Sequence, residues 1–407
     1  MHSLFRRAKA PASAGTPPAP MPMLSFPGKK ALRFAGDTSA AEQDAALAVL
    51  MHARAHVVLA AESARASPAE AAAALRAYLR TIYASEITAG PSQQNLLFAW
   101  GDAAAGDETD KKKAKADKTS PAAAQWQGQW HTSLATERAV ALFALAAELA
   151  RAVAAEDRRG ADGIRRACGA LCDAAGALRA AAAAGDQLCH MTDACLAAFE
   201  RLMLAQALEC YFELAVAGGK PPALCSKIAL QVSHDYHEVC VKLGILQRQQ
   251  QPIDKSWAPH AQAKAAYFDA EANLQRARAL REQGPGSVGE AVARLRLAAS
   301  VLDAATGKTG PLGKKSLSSS SSASTAAALA PLRDAAARLR KEVEAELAAA
   351  ENDNCQVYFE RVPAADALKA LPALAEPLVR PTAVEKVLRE ADGEPALANG
   401  GAPTNRH

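Results

Sequence analysis

The chain has 407 residues, half of them apolar but only 5% aromatic, and much of the apolar half is alanine. Alanine favours helix and buries little area per residue, so this composition implies a long stack of helices rather than a compact sandwich. Lysine and arginine (47) nearly balance aspartate and glutamate (43) for a net charge of +4; this gives no case for a nucleic-acid footprint, which needs a strong basic excess on one face, and leaves room for weak attraction to an anionic membrane surface.

Residues 1–36 hold Arg6, Arg7, Lys9, Lys29, Lys30 and Arg33, with no acid before Asp37 and prolines at 11, 17, 18, 20, 22 and 27. That composition resembles an organelle transit peptide, but no amphipathic stripe accompanies the arginines, and residues 1–28 read better as a flexible Pro-rich arm. A helix is predicted over 40–62. Ser67-Pro68-Ala69-Glu70 then has the form of a capping box with proline in the first turn, opening a second helix that ends near Ser85.

Residues 95–100, apolar and bounded by Gly90-Pro91 and Gly101-Asp102, read as a strand. A solvated, lysine-rich loop follows over 102–125. Helical periodicity then returns over 133–155, 163–184, 192–217 and 221–243, the last two broken by Gly218-Gly219-Lys220-Pro221-Pro222. Residues 259–283 and 288–304 form another helix pair, and a serine-rich insert over 316–324 precedes a long helix over 325–352. Residues 355–362 read as extended, and from Thr382 the chain reads as an unfolded tail. The eight cysteines sit mostly in helical pattern with no secretory signal ahead of them, which suits reduced thiols and a cytoplasmic setting. No apolar run is long enough to span a bilayer.

Several patterns resemble chemical sites without their context. Gly284-Pro285-Gly286-Ser287-Val288-Gly289 fits G-x-G-x-x-G literally but joins two helices, whereas a dinucleotide site needs a preceding strand. Gly307-Lys308-Thr309 lacks the first glycine of a phosphate loop, since Leu302 stands there. Cys168 and Cys172, with Cys189, His190 and Cys195 near in sequence, suit core packing better than metal ligation. His234 and His237 have no carboxylate in a general-base position. Nothing assembles a nucleophile, base and oxyanion site, so no catalytic residue, cofactor, metal or small-molecule substrate is expected.

The informative segment is the hairpin over 202–228. Leu204, Leu208, Tyr211 and Ala215 share one helical face. Tyr211 and Phe212 point about 100° apart, so both cannot be central to one narrow seam. Leu224 and Ile228 are neighbours on the next helix. Brought beside Tyr211 they would form a small apolar patch suited to an amphipathic helix.

Five ordered blocks carry a family resemblance. Leu202-Met203-Leu204-Ala205-Gln206-Ala207 with Glu209 is similar to the signature of the Bro-one domain family, of the ALIX and BROX kind. Phe98-Ala99-Trp100-Gly101-Asp102, the helix Glu137 to Ala147, and Gly289-Glu290-Ala291-Val292-Ala293-Arg294-Leu295 resemble further family blocks. Asn352-Asp353-Asn354, Tyr358, Arg361-Val362-Pro363 and Leu378-Val379 resemble its closing segment. Ala144 stands where the family usually has asparagine, and Tyr211 where phenylalanine is common.

The resemblance implies a mainly α, elongated, banana-shaped domain over 29–382, with a tetratricopeptide-like helical core and a small β-sheet. Loops are expected near 103–128 and 306–324, and a disordered tail over 383–407. It implies a non-catalytic adaptor, cytoplasmic and transiently at endosomal membranes. The partner it implies is the C-terminal amphipathic helix of an ESCRT-III (charged multivesicular body protein) subunit, and the contact trio falls on Tyr211, Leu224 and Ile228. The competing reading is a helical-repeat scaffold for another peptide, cytoskeletal or nuclear-envelope partner. Thr404-Asn405-Arg406-His407 lack a prenylation cysteine and Met1 is followed by His2, so membrane recruitment is expected through the partner or a weak basic surface.

Overall fold

The computed structural model describes residues 20–32, 45–63, 66–88, 97–102, 129–184, 192–251, 253–307 and 323–389. Helices dominate them: α1 (Ala45–Glu62), α2 (Pro68–Thr88), α3 (Leu134–Ala155), α4 (Ala161–Ala183), α5 (Asp193–Ala217), α6 (Pro222–Arg248), α7 (Trp257–Gln283), α8 (Val288–Thr306), α9 (Ala323–Asp353) and the short α10 (Val384–Val387). The capping box closes as expected: the Glu70 amide donates to Ser67 Oγ (3.2 Å) and the Ser67 amide to Glu70 Oε2 (2.7 Å). Ser133 and Thr192 cap α3 and α5 by the one-way form of this contact, each side chain accepting from an amide three residues on.

From α1 to α9 each helix packs on the next in the chain, the serial stacking that the alanine content favours. One core runs through α1–α7 and a second joins α7, α8 and α9. Three short strands, β1 (Lys29–Ala31), β2 (Phe98–Asp102) and β3 (Gln129–His131), form an antiparallel sheet in that order, with Lys30 opposite Gly101 and Ala99 opposite Trp130. The mainly α fold with a small sheet is the expected one.

A buried ionic knot ties the sheet to the first helices. Arg54 pairs with Glu137, both fully buried, and its guanidinium lies among the rings of Tyr78, Phe98 and Trp100. Tyr78 Oη donates to Glu137 Oε1 (2.6 Å) and Trp100 Nε1 to Glu137 Oε2 (2.7 Å). Both carboxylate oxygens are therefore satisfied, as a buried charge requires.

Three expectations need correction. Residues 20–28 belong to the packed structure rather than to a flexible arm. Phe26 stacks on Phe199 (4.8 Å between centroids) and tilts against Phe143 (5.2 Å), while Gln206 accepts from the Leu24 amide (2.6 Å) and donates back to its carbonyl (3.1 Å). Residues 1–19 lie outside the described ones.

The tail is structured at least as far as Arg389. Val387 and Leu388 are buried, and their carbonyls accept from Arg76 Nε and Arg80 Nη1 on α2, each at 2.9 Å. Residues 390–407 lie outside the described ones. The run expected to be extended from Cys355 instead continues α9 as a π-helical turn, Asn354–Tyr358, ended by Phe359 at φ 54°. The loop expected over 103–128 and most of that over 306–324 fall outside the described residues.

Candidate docking face

The α5–α6 hairpin is built by its loop. Gly219 takes φ 63°, a conformation that costs glycine little, and the Lys220 amide reaches back to the Ala215 carbonyl at 2.9 Å. Pro222 then opens α6 with φ already suited to a first turn. The Tyr211–Phe212 step resolves by direction. Phe212 turns inward, edge-on to Phe268 at 5.6 Å, and Tyr211 turns outward, 38% exposed. Leu208 is buried.

Across the loop Leu224 is 37% exposed, and Val216, which periodicity does not single out, is exposed beside the turn. Ile228 differs from the expectation. It is 0% exposed and offers a partner no surface; packing by α5 and α7 on either flank of α6 narrows that helix's accessible stripe. Ile228 lies one turn beyond Leu224 and supports it from within.

Beneath this face lies a second buried knot that sequence reading missed. Lys264 Nζ on α7 reaches both oxygens of Glu209, at 2.9 and 2.7 Å, and the Tyr236 hydroxyl also donates to that carboxylate. Arg158, at the α3–α4 turn, donates to Glu213 (2.9 Å) and to the carbonyl of Met21. Burial pushes the Glu213 carboxyl up to about 7, against the pull of Arg158. The available signal was Glu209 itself, an acid inside an otherwise apolar helical run, which has to find a cation.

The motif-like run over 284–289 and the cysteine and histidine pairs have structural explanations. The amides of Gly286 and Gly289 donate to the carboxylate of Glu360, at 2.5 and 2.8 Å. The start of α8 thus holds an anion from its own chain. Gly289 is required by close approach, because a Cβ there would collide with the Arg361 carbonyl. Cys168 and Cys172 are half-buried free thiols, and a hydrogen bond between them raises the Cys168 thiol and lowers that of Cys172. Cys195 is buried beside Gln251, and His234 and His237 are exposed. Cys189 and His190 lie outside the described residues. Among the described residues no three His, Cys, Asp or Glu side chains gather around one point, and no helix is long and apolar enough to cross a membrane.

Residues 30–399 match the BRO1-like domain. This chain belongs to that family. The BRO1-like chain is 34% identical over 260 residues to the vacuolar-sorting protein BRO1 of Arabidopsis thaliana, an alignment covering 62% of this chain and 28% of that protein. It is 29% identical over 247 residues to the pH-response regulator palA/RIM20 of Emericella nidulans, covering 58% of this chain and 26% of the relative. The matched part is thus little more than a quarter of either relative's length. Among solved structures, the BRO1 domain of ALIX, in a complex with CHMP4C, superposes with a TM-score of 0.66 at 20% identity, covering 91% of this chain and 97% of the other. A Bro1 domain studied for endosomal targeting gives 0.66 at 13% identity, covering 90% and 94%. At these identities the BRO1 fold is what is shared.

Proposed function

We propose that this BRO1-like domain is a non-catalytic adaptor. It docks the C-terminal amphipathic helix of an ESCRT-III subunit across Tyr211 and Leu224, at endosomal or other ESCRT-remodelled membranes. The observation that carries the reading is the outward pair itself: two large apolar side chains stand exposed on either side of a hairpin loop whose neighbours Leu208, Phe212 and Ile228 are buried. An apolar helix face is the partner that covers such a ridge. Support comes from the shared fold with a BRO1 domain that was solved with CHMP4C.

Each anchor is already partly covered, so it adds less than the roughly 1.5–3 kcal/mol of a fully buried side chain, and ordering costs offset part of that. The expected complex is transient, with a dissociation constant on the order of micromolar. Calorimetric titration of the full chain with a C-terminal ESCRT-III peptide tests it. Leu224→Asp should weaken binding at least about tenfold by placing a charge in the contact, with helicity unchanged by circular dichroism. Equal affinity for the variant would remove this face from consideration.

A further inference from the structure

The outer face of α1 carries a pair of side chains that the docking reading leaves unused. His52 and His56, one turn apart and both exposed, bring their Nε2 atoms to 3.1 Å of each other. Two nitrogens bound to one zinc at a tetrahedral angle stand about 3.3 Å apart. The separation of the two nitrogens thus matches the bite of a chelate. The α1 helix has only two charged side chains, Arg54 and Glu62; Arg54 is buried on the opposite face against Glu137. No exposed cation of α1 competes with an incoming ion.

The residues around the pair suggest what completes the coordination. Val49 and Leu59 lie three positions before and three after the two histidines, each 57% exposed. Alanines 48 and 55, also on the exposed side, leave room for close approach. The order Val-His-His-Leu, at spacings of three, four and three, reads the same in both directions. A two-fold, antiparallel pairing of this stripe with itself therefore sets Val49 against Leu59 of another copy and places four imidazoles around one point.

We propose that His52 and His56 form half of a binding site for a borderline divalent cation of the zinc class, completed by the same pair from a second copy of the chain. Four neutral imidazoles in tetrahedral array suit zinc. To bind the metal through Nε2, each imidazole carries its proton on Nδ1; a ring that starts with its proton on Nε2 passes it to solvent and takes one back on Nδ1, so no net proton is released.

Sedimentation equilibrium and calorimetry with Zn2+ alone test this on the full chain at about pH 7.5, where free imidazole is neutral. The thiols are first capped with N-ethylmaleimide, because thiolates also bind zinc. The expected result is a doubling of mass at one ion per two chains, reversed by EDTA and not produced by Mg2+. His52→Ala with His56→Ala should abolish both uptake and dimer, and both sites are exposed enough for the fold to survive. Leu59→Glu, which keeps both imidazoles, should lose the dimer and weaken uptake at least tenfold. Uptake that survives the double substitution, binding of one ion per chain without a change of mass, or no uptake at all would each overturn the proposal.

Discussion

Lys264 Nζ lies 2.7 Å from Oε2 of Glu209, and neither side chain has any exposed surface. The pair joins α5 to α7 directly beneath the proposed docking face. Removing only one partner leaves an uncompensated buried charge, so Lys264→Met should destabilise the domain by about 3–5 kcal/mol in urea unfolding. Glu209→Leu combined with Lys264→Met should cost much less than the two single changes added together. Additive costs would show that the two charges do not act as a pair.

Glu213 should make stability depend on pH. Its folded value is raised to about 7, above the ordinary carboxylate range, so between the two values the folded state binds more protons than the unfolded. Its contribution is therefore present at low pH and lost as pH rises through about 7. Thermal unfolding of Glu213→Gln should show a smaller loss of Tm between about pH 5 and pH 8 than the parent chain. A larger loss in the variant would contradict the sign.

Ile228 and Leu224 should separate stability from docking. Ile228→Ala removes a fully buried side chain and should cost about 2–5 kcal/mol of stability. Tyr211→Ala, at an exposed position, should leave the melting temperature nearly unchanged and weaken peptide binding several-fold. Melting curves and calorimetric titrations of the same preparations distinguish these outcomes.

The closing segment should act as a structural latch. The carbonyls of Val387 and Leu388 accept from Arg76 and Arg80, and the Thr382 amide donates to the Cys172 carbonyl at 3.0 Å. Where Gly176 lies, a Cβ would strike the Thr382 carbonyl. Gly176→Ala should therefore detach the segment, cost about 1–3 kcal/mol, and speed proteolytic cleavage after Arg380 or Arg389. Protection equal to that of the parent would rule out the latch.

Much of this was readable from residue pattern. The capping box at Ser67 and Glu70, the Gly-Gly-Lys-Pro-Pro break and the divergence of Tyr211 from Phe212 depend on neighbours within one helical turn, and local spacing captures those. Ile228 is not legible as buried because i,i+4 spacing places two residues on one helical side but does not report how much of that side the adjacent helices cover. Glu209 could be recognised as an acid in need of a partner. Its partner could not, because Lys264 lies 55 residues away along the chain. Residues 20–28 resemble an arm in sequence for the same reason: their prolines and nearby basic residues are local, whereas Gln206 is 182 residues distant from Leu24.

That last distance has a consequence for how the chain is made. Synthesis delivers the Phe26 segment well before its ring partner Phe199, the side-chain amide of Gln206 and the Lys264 ammonium beside Met23. Until then the first core lacks one wall, and an aromatic side chain destined for its centre faces solvent or a chaperone. The domain therefore closes late, when α7 has emerged, and an early pause in translation would prolong the exposure of that segment.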